Sequence, residues 1–187
     1  SHTAGRKVPL PLVRLYTWQI AHALFTFHRR GLIHRDIKPG NILLLSEHHT
    51  LLADFGLAMY DPSLSDVPGL HKSGTAAYMA PEQVQGYPCF ASDQYSLALS
   101  VYEWLTGHRP FSDEIMLRQK RTRGKPLSVR RFRPELPSAV DEVLEQALQP
   151  DPAARYATVL DFARDFAKVT RVAHPPRVNR LPYDRRN

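Results

Sequence analysis

Four polar residues in the first third of the chain carry the side chains best suited to chemistry. Asp36, Lys38 and Asn41 lie in the segment HRDIKPGN, residues 34–41, and Asp54 ends a short apolar run. A carboxylate can orient a hydroxyl and accept its proton, and carboxylate and amide oxygens are ligands that Mg²⁺ prefers. The alternative interpretation is that these residues only form turns beside a hairpin.

Two short apolar runs frame these residues. NILLL (41–45) and TLLAD (50–54) are separated by SEHH, which predicts a small antiparallel hairpin with a four-residue loop. Asn41 opens the first predicted strand and Asp54 ends the second. Because antiparallel pairing brings those two chain positions together, we expect both oxygen donors at the same end of the hairpin.

Three short motifs follow one another along the chain: HRD at 34–36, DFG at 54–56 and APE at 80–82. In order and spacing they resemble the eukaryotic-type (Hanks-type) serine/threonine protein kinases. The ending DPAARY resembles bacterial members of that family. The resemblance covers residues 10–170. It implies the C-terminal lobe of a protein kinase, a mainly α fold in which a helical bundle carries a short antiparallel β-hairpin.

The resemblance implies transfer of the γ-phosphate of ATP to a serine or threonine hydroxyl of a protein, with Mg²⁺ as cofactor. Asp36 matches the aspartate that accepts the hydroxyl proton. Lys38 matches the lysine that contacts the transferring phosphate, and a lysine there follows the serine/threonine pattern rather than the tyrosine one. Asn41 and Asp54 match the magnesium and nucleotide ligands.

Regulatory residues are also implied by the resemblance. Arg35 matches the arginine that pairs with a phosphate on the activation loop, and its planar guanidinium binds phosphate through two hydrogen bonds. The candidate loop lies within residues 54–82, which we predict to be extended. Thr75 matches the threonine that bridges the aspartate and the lysine. The candidate phosphosites are Ser63, Ser65 and Ser73. Each of these serines could instead be an ordinary solvated loop residue.

A further group is expected to support the site rather than to react. By resemblance, Glu82 pairs with Arg155, and removal of one partner of a buried pair would leave an uncompensated charge. Asp93 matches the aspartate that holds the backbone of the catalytic loop. The remaining support residues are His34, Phe55 and Gly56. His34 could in principle bind a metal, but the neighbouring histidines show no recognised ligand spacing.

Helical periodicity predicts the elements that must position these residues. Helices are predicted over residues 10–31, 92–107, 137–148 and 158–169. The first is expected to stop at Gly31. The second is apolar almost all round, so we expect it to be buried. The last begins with Thr158 and Asp161, which are placed like a capping box.

Composition bounds the class of protein. The 187 residues are 43% hydrophobic and 23% charged, which excludes a fully disordered or collagen-like chain. The single cysteine, Cys89, excludes a disulfide framework and is expected to pack. Residues 1–9 are expected to be a polar lead-in, and residues 171–187 a disordered basic tail rich in Pro and Arg. No apolar run is long enough to span a bilayer. We therefore expect a cytoplasmic location, either alone or as part of a longer membrane-anchored protein.

Two other function classes stay open. The net charge of +7 and the basic segment 118–133 allow a nucleic-acid-binding domain, although no stacking platform or known motif accompanies them. The chain could also be a pseudokinase-like binding or regulatory module. On the kinase interpretation, the expected partners are protein substrates with Ser or Thr and the N-terminal lobe of the kinase.

The N-terminal lobe itself is not recognisable in this sequence. No glycines follow the GxGxxG pattern, and no Asp or Glu precedes Asp36. We expect the isolated chain to be inactive, either as a fragment of a longer kinase or as a half-kinase that only binds. The joint presence of Asp36, Lys38, Asn41 and Asp54 favours the fragment.

Overall fold

The structure is a computed structural model, and it describes residues 7–60, 77–111 and 126–171. This part of the chain is largely helical with two small antiparallel sheets. The elements in chain order are α1 Leu10–His28, β1 Leu32–Ile33, β2 Ile42–Ser46, β3 His49–Leu52, β4 Met59–Tyr60, α2 Pro81–Val84, α3 Phe90–Thr106, α4 Ala139–Ala147 and α5 Val159–Val169. Short 3₁₀ turns occupy Pro39–Asn41, Val129–Arg131 and Pro152–Ala154.

The hairpin predicted beside the polar cluster is confirmed. β2 and β3 pair antiparallel with Ile42 opposite Leu52 and Leu43 opposite Leu51. The predicted four-residue loop is wrong, because Ser46 and His49 pair with each other and leave only two residues between the strands. An irregularity between Leu44 and Ser46 shifts the register there. Sequence alternation does not reveal such a bulge.

A second ribbon was not predicted. β1 and β4 pair antiparallel, with Leu32 opposite Tyr60 and Ile33 opposite Met59. The expectation of one extended loop over 54–82 is therefore wrong at both ends, where β4 and α2 form. Two-residue strands and a single helical turn are too short to show a period.

α3 lies at the centre of the fold. Every residue from Ser92 to Thr106 is buried, which confirms the helix predicted from residues that are apolar almost all round. Tyr16 of α1 meets Trp104 of α3 edge to face, with ring centroids 6.1 Å apart. α3 stops at Gly107, whose φ of 76° lies in the left-handed region that glycine adopts without strain.

α1 presents its predicted apolar face to this centre. Val13, Tyr16, Ile20 and Leu24 are buried. The helix ends at His28, earlier than expected, because the N–H groups of Arg30 and Gly31 bond three residues back and tighten the chain into a turn. Gly31 then reverses the chain with φ 74°.

The two C-terminal helices are also confirmed. α4 and α5 lie within the predicted ranges, and α5 begins with the expected capping box. The backbone N–H of Asp161 donates to Oγ1 of Thr158 over 3.2 Å, and that of Thr158 donates to Oδ2 of Asp161 over 3.1 Å. Because each side chain satisfies the other residue's backbone donor, the start of α5 is fixed.

Several sequence predictions fall outside the described residues. They concern Ser63, Ser65, Ser73, Thr75, the lead-in up to residue 6, positions 118–125 of the basic segment and the tail from residue 172. Among the helices that the structure describes, none is long and apolar enough to cross a membrane. Cys89 is half-buried and precedes the first residue of α3, where it takes part in the helix cap.

Candidate active site

One buried carboxylate on α3 holds the HRD segment in place. Oδ2 of Asp93 accepts a hydrogen bond from the backbone N–H of His34, and Oδ1 accepts one from that of Arg35, both over 2.9 Å. Nε2 of His28, at the end of α1, lies 2.8 Å from the same Oδ2. These contacts fix the backbone of Arg35, which has φ 73° although it is not glycine.

The next residues converge on the carboxylate of Asp36, which is buried. Nζ of Lys38 lies 2.7 Å from Oδ2 of Asp36. Nδ2 of Asn41 donates to the same Oδ2 and to the backbone oxygen of Asp36, each over 2.8 Å. Charged and polar donors therefore orient this carboxylate before any substrate arrives.

The end of the hairpin brings Asp54 to this cluster. The backbone N–H of Ala53 donates to the backbone oxygen of Asn41 over 2.9 Å, which continues the β2–β3 pairing to the site. Asp54 is exposed and adopts φ 63°, and its Oδ1 accepts a long 3.4 Å hydrogen bond from the backbone N–H of Gly56. Asn41 and Asp54 thus stand at the same end of the ribbon, with the Asp54 carboxylate open to solvent.

The oxygen donors fit a magnesium ion that is shared with a phosphate. Asn41 commits its amide nitrogen to Asp36, which leaves its amide oxygen for a cation. In the part of the chain that the structure describes, no group of three or more His, Cys, Asp or Glu could hold a metal. Mg²⁺ usually keeps several waters and binds through one or two protein oxygens together with phosphate oxygens, so the amide oxygen of Asn41 and the carboxylate of Asp54 fit it.

An aromatic cluster lies beside this end of the hairpin. The ring of Phe55 lies 5.1 Å from that of His34 and 5.3 Å from that of Phe27. His34 is fully buried, and among the described residues its Nε2 has no hydrogen-bond partner. Burial is the largest effect and lowers the pKa of His34, although the charge of Asp93, a backbone hydrogen bond with Ala53 and the charges of Asp36 and Asp54 oppose it. A neutral, packed imidazole agrees with a support position.

The burial of His34 leads to a prediction of how the free energy of unfolding depends on pH. Its pKa is lowered in the folded chain from 6.5, so the unfolded chain takes up the proton at higher pH. Its contribution to the free energy of unfolding is therefore full above pH 6.5 and is lost as pH falls toward the folded pKa. We expect urea denaturation at pH 7.5, 6.5 and 5.5 to show stability falling by up to about 1.4 kcal/mol per pH unit from this group.

The variant His34→Phe isolates that contribution, because phenylalanine fills the site and does not titrate. It should flatten the decline between pH 6.5 and 5.5, whereas His22→Phe at an exposed position of α1 should not. A His34→Phe chain with the same pH slope as the unaltered chain would contradict the assignment.

Arg35 and α2 connect the HRD segment to the rest of the fold. The Arg35 guanidinium is buried, and Nη1 donates to Sδ of Met59 on β4 over 3.1 Å. Burial lowers the pKa of Arg35, against the opposing effect of Asp93. Nε2 of Gln83 donates to the backbone oxygen of Arg35 over 2.6 Å. Gln83 was not among the residues predicted for the site, although it directly follows the APE motif.

Glu82 and Arg155 form a buried ion pair. Nη1 and Nη2 of Arg155 donate to the two carboxylate oxygens of Glu82 over 2.8 Å each. Three further hydrogen bonds from the guanidinium go to the backbone oxygens of Gln149, Pro150 and Ala91. The pair therefore joins α2, α3 and the turn before α5 at one point.

Comparison with known proteins agrees with this geometry. The family model described as the protein kinase domain matches residues 3–166. The chain is 37% identical over 163 residues to serine/threonine-protein kinase drp72 of Corynebacterium efficiens, covering 84% of this chain and 30% of that protein. It is 36% identical over 167 residues to serine/threonine-protein kinase PknA of Mycobacterium tuberculosis, covering 88% of this chain and 38% of that protein.

A probable serine/threonine-protein kinase of Clostridium perfringens, CPE1738, is 32% identical over 154 residues, with 81% of this chain and 22% of that protein covered. The match thus spans between 22% and 38% of the length of these curated relatives. The family model, which covers most of the chain, and the arrangement of the HRD and DFG residues lead to one assignment. This chain belongs to the protein kinase domain family, and the relatives that it matches are serine/threonine-protein kinases.

Proposed function

We propose that this chain is the C-terminal lobe of a protein kinase domain and that it contributes to transfer of the γ-phosphate of ATP to a serine or threonine hydroxyl of a protein. The observation that carries the proposal is the Asp36 carboxylate held by Lys38 and Asn41, beside the exposed Asp54. Phosphoryl transfer depends mainly on positioning and on charge neutralisation, and these four side chains supply both.

Asp36 is the proposed proton acceptor, and the substrate hydroxyl binds next to its carboxylate. Its carboxylate orients the hydroxyl and takes the proton while the hydroxyl oxygen forms a bond to the γ-phosphorus and the bond to the β-phosphate oxygen breaks. Lys38, whose Nζ is within 2.7 Å of the carboxylate, places a positive charge where the moving phosphate carries negative charge. Asn41 holds Asp36 in one orientation, because its Nδ2 donates one hydrogen bond to the carboxylate and one to the backbone oxygen.

Asn41 and Asp54 are the proposed magnesium ligands. Bound there, Mg²⁺ would supply neutralisation of charge on the phosphate oxygens. The amide oxygen of Asn41 comes from the residue that anchors Asp36, and Asp54 follows the paired strand, so the ribbon sets both donors relative to Asp36. These same residues are the proposed contacts to the nucleotide.

Several apolar side chains beside the site are exposed to solvent. Leu43 and Leu51, which are cross-strand partners on the ribbon, are exposed, and Phe55 is 49% exposed. Exposed large apolar groups that adjoin a site mark a surface that another segment covers. We propose that an N-terminal kinase lobe packs on this surface and covers the ATP phosphates.

The regulatory residues are part of the same proposal. A phosphate on Ser63, Ser65 or Ser73 would pair with the buried guanidinium of Arg35, next to the HRD aspartate. Thr75 would bridge Asp36 and Lys38. The position of Arg35 directly before Asp36 supports this role, because a guanidinium binds phosphate through two hydrogen bonds.

Transfer of radiolabelled phosphate from ATP to peptide pools tests the proposal. The assay compares pools whose only acceptor is serine, threonine or tyrosine, with Mg²⁺ or with EDTA, for the 187-residue chain and for its complete parent protein. We expect the parent protein to label the serine and threonine pools only, in the presence of Mg²⁺, and the chain alone to label none. Labelling of the tyrosine pool alone, or no labelling by the parent protein, would overturn the proposal.

A further inference from the structure

A groove of about 490 Å³ runs along the outer side of the α1–α5 pair. Leu12, Leu15 and Trp18 of α1 form one wall, Ala167 and Arg171 at the end of α5 form the other, and His48 closes one side. His48 lies in the turn of the β2–β3 hairpin, at the opposite end from Asn41 and Asp54. The groove is therefore separate from the candidate active site.

The apolar floor of this groove is a second stripe on α1. Leu12, Leu15 and Trp18 recur at steps of three; Leu12 and Leu15 are partly buried at the edge of the core, and Trp18 lies farther out and is exposed. Trp18 is 39% exposed, and its ring contacts that of His22 with the centroids 4.7 Å apart. Tryptophan and arginine are the residue types that most often carry binding energy at interfaces.

Two cations stand at the rim of this stripe. Arg14 and Arg171 line the groove, and neither guanidinium forms an ion pair or a hydrogen bond with a residue in the described ranges. Among the described residues, no carboxylate lines the groove. By contrast, Arg133, Arg155 and Arg164 each pair with a carboxylate within 2.8 Å. The groove therefore combines an apolar floor with available positive charge.

The wall next to the hairpin is held in place without a ligand. Nε2 of Gln19 donates to the backbone oxygen of His48 over 2.7 Å, and its Oε1 accepts from the N–H and the hydroxyl of Thr50 over 2.8 Å each. The hydroxyl of Tyr16 also donates to the backbone oxygen of Glu47. Because α1 already fixes the hairpin turn, binding requires little ordering of this wall.

The positive charge at the rim of the groove indicates which kind of segment would bind there. The sequence after Arg171 contains four arginines and one aspartate, and the six residues before Lys7 contain no acid. A second copy of the chain carries a net charge of +7. The two flanking segments bring positive charge to a positive rim, and a second copy approaches it with like net charge, both of which are unfavourable, whereas an acidic segment from another protein would be complementary.

We propose that this groove docks an acidic, amphipathic segment of a partner protein. Its apolar side chains lie on Leu12, Leu15 and Trp18, and its carboxylates pair with Arg14 and Arg171. From position 11 to position 18 the helix rises by about 10 Å, which suits two turns of a bound helix or three extended residues.

The test measures binding directly and does not depend on phosphate transfer. Fluorescein-labelled 12-residue peptides with Leu and Phe at helical spacing and Glu at the remaining positions are titrated with the full 187-residue chain. Matched sets carry Gln or Lys in place of Glu. Anisotropy should show the Glu set binding at least about tenfold tighter than the Gln set in 50 mM salt, and this preference should shrink in 500 mM salt.

Variants assign the binding to the groove. Arg14→Glu and Trp18→Ala should each weaken binding of the Glu set about tenfold or more, while Arg29→Glu, an exposed cation at the far end of α1, should leave it unchanged. Circular dichroism verifies that each variant is folded. Equal binding of the Glu and Gln sets, absence of binding, or equal effects of Arg14→Glu and Arg29→Glu would overturn the proposal. So would a synthetic peptide of residues 172–187 binding as tightly as the Glu set, since the chain itself would then supply the occupant.

Discussion

Replacement of Asp36 by asparagine is expected to lower kcat for phosphate transfer about a thousandfold and to leave the fold unchanged. The amide keeps an oxygen that can accept from Lys38 and Asn41, which now donate to the Asp36 carboxylate over 2.7 and 2.8 Å. It cannot take up a proton from the acceptor hydroxyl. The variant therefore preserves the shape of the site and removes the proton acceptor.

The measurement is kcat with saturating ATP and peptide, in the complete parent protein that the assay above uses. Asp151→Asn is the matched control, because Asp151 caps a 3₁₀ turn by accepting from the N–H of Ala153 over 2.9 Å, and asparagine caps equally well. That control should retain the activity of the unaltered protein. An Asp36→Asn protein within tenfold of the unaltered kcat would remove Asp36 from the proton-accepting role.

The predictable part of this fold is the part whose signals are local. α3 could be predicted because residues 92–107 are apolar almost all round, and the structure buries all fifteen positions from Ser92 to Thr106. α5 could be predicted because Thr158 and Asp161 form the capping box that marks a helix start. The hairpin could be predicted because two short apolar runs, at 41–45 and 50–54, lie close together in the sequence. The β1–β4 ribbon could not, because two paired residues that lie far apart in the chain leave no period to detect.

The same distinction applies to the candidate site. Asn41 and Asp54 could be placed together in advance, because one hairpin fixes both positions. His28 and Gln83 could not be assigned, although they contact Asp93 and the backbone of Arg35. These contacts span 65 and 48 residues of chain and form only after α1, α2 and α3 have packed. Without a known family, the types of these two residues indicate no such contact.

Loss of the Arg155 guanidinium is expected to have the largest effect on stability. Arg155→Met should lower the free energy of unfolding by about 3–5 kcal/mol, because it leaves the Glu82 carboxylate without its cation in a mostly dry environment. The side chain of Arg155 is fully buried, and its ring contact with Tyr95, at 4.8 Å, is lost as well. Urea denaturation measures the change.

Two companion variants separate the charge from the packing. Arg164→Met removes an arginine whose pair with Asp161 is 65% exposed on the arginine side, and it should cost less than about 1 kcal/mol. The double variant Glu82→Gln with Arg155→Met removes both charges and should be more stable than Arg155→Met alone, since no buried anion is then left unpaired. If the double variant is less stable than the single one, lost hydrogen bonds and packing around Arg155, rather than the stranded charge, account for the destabilisation.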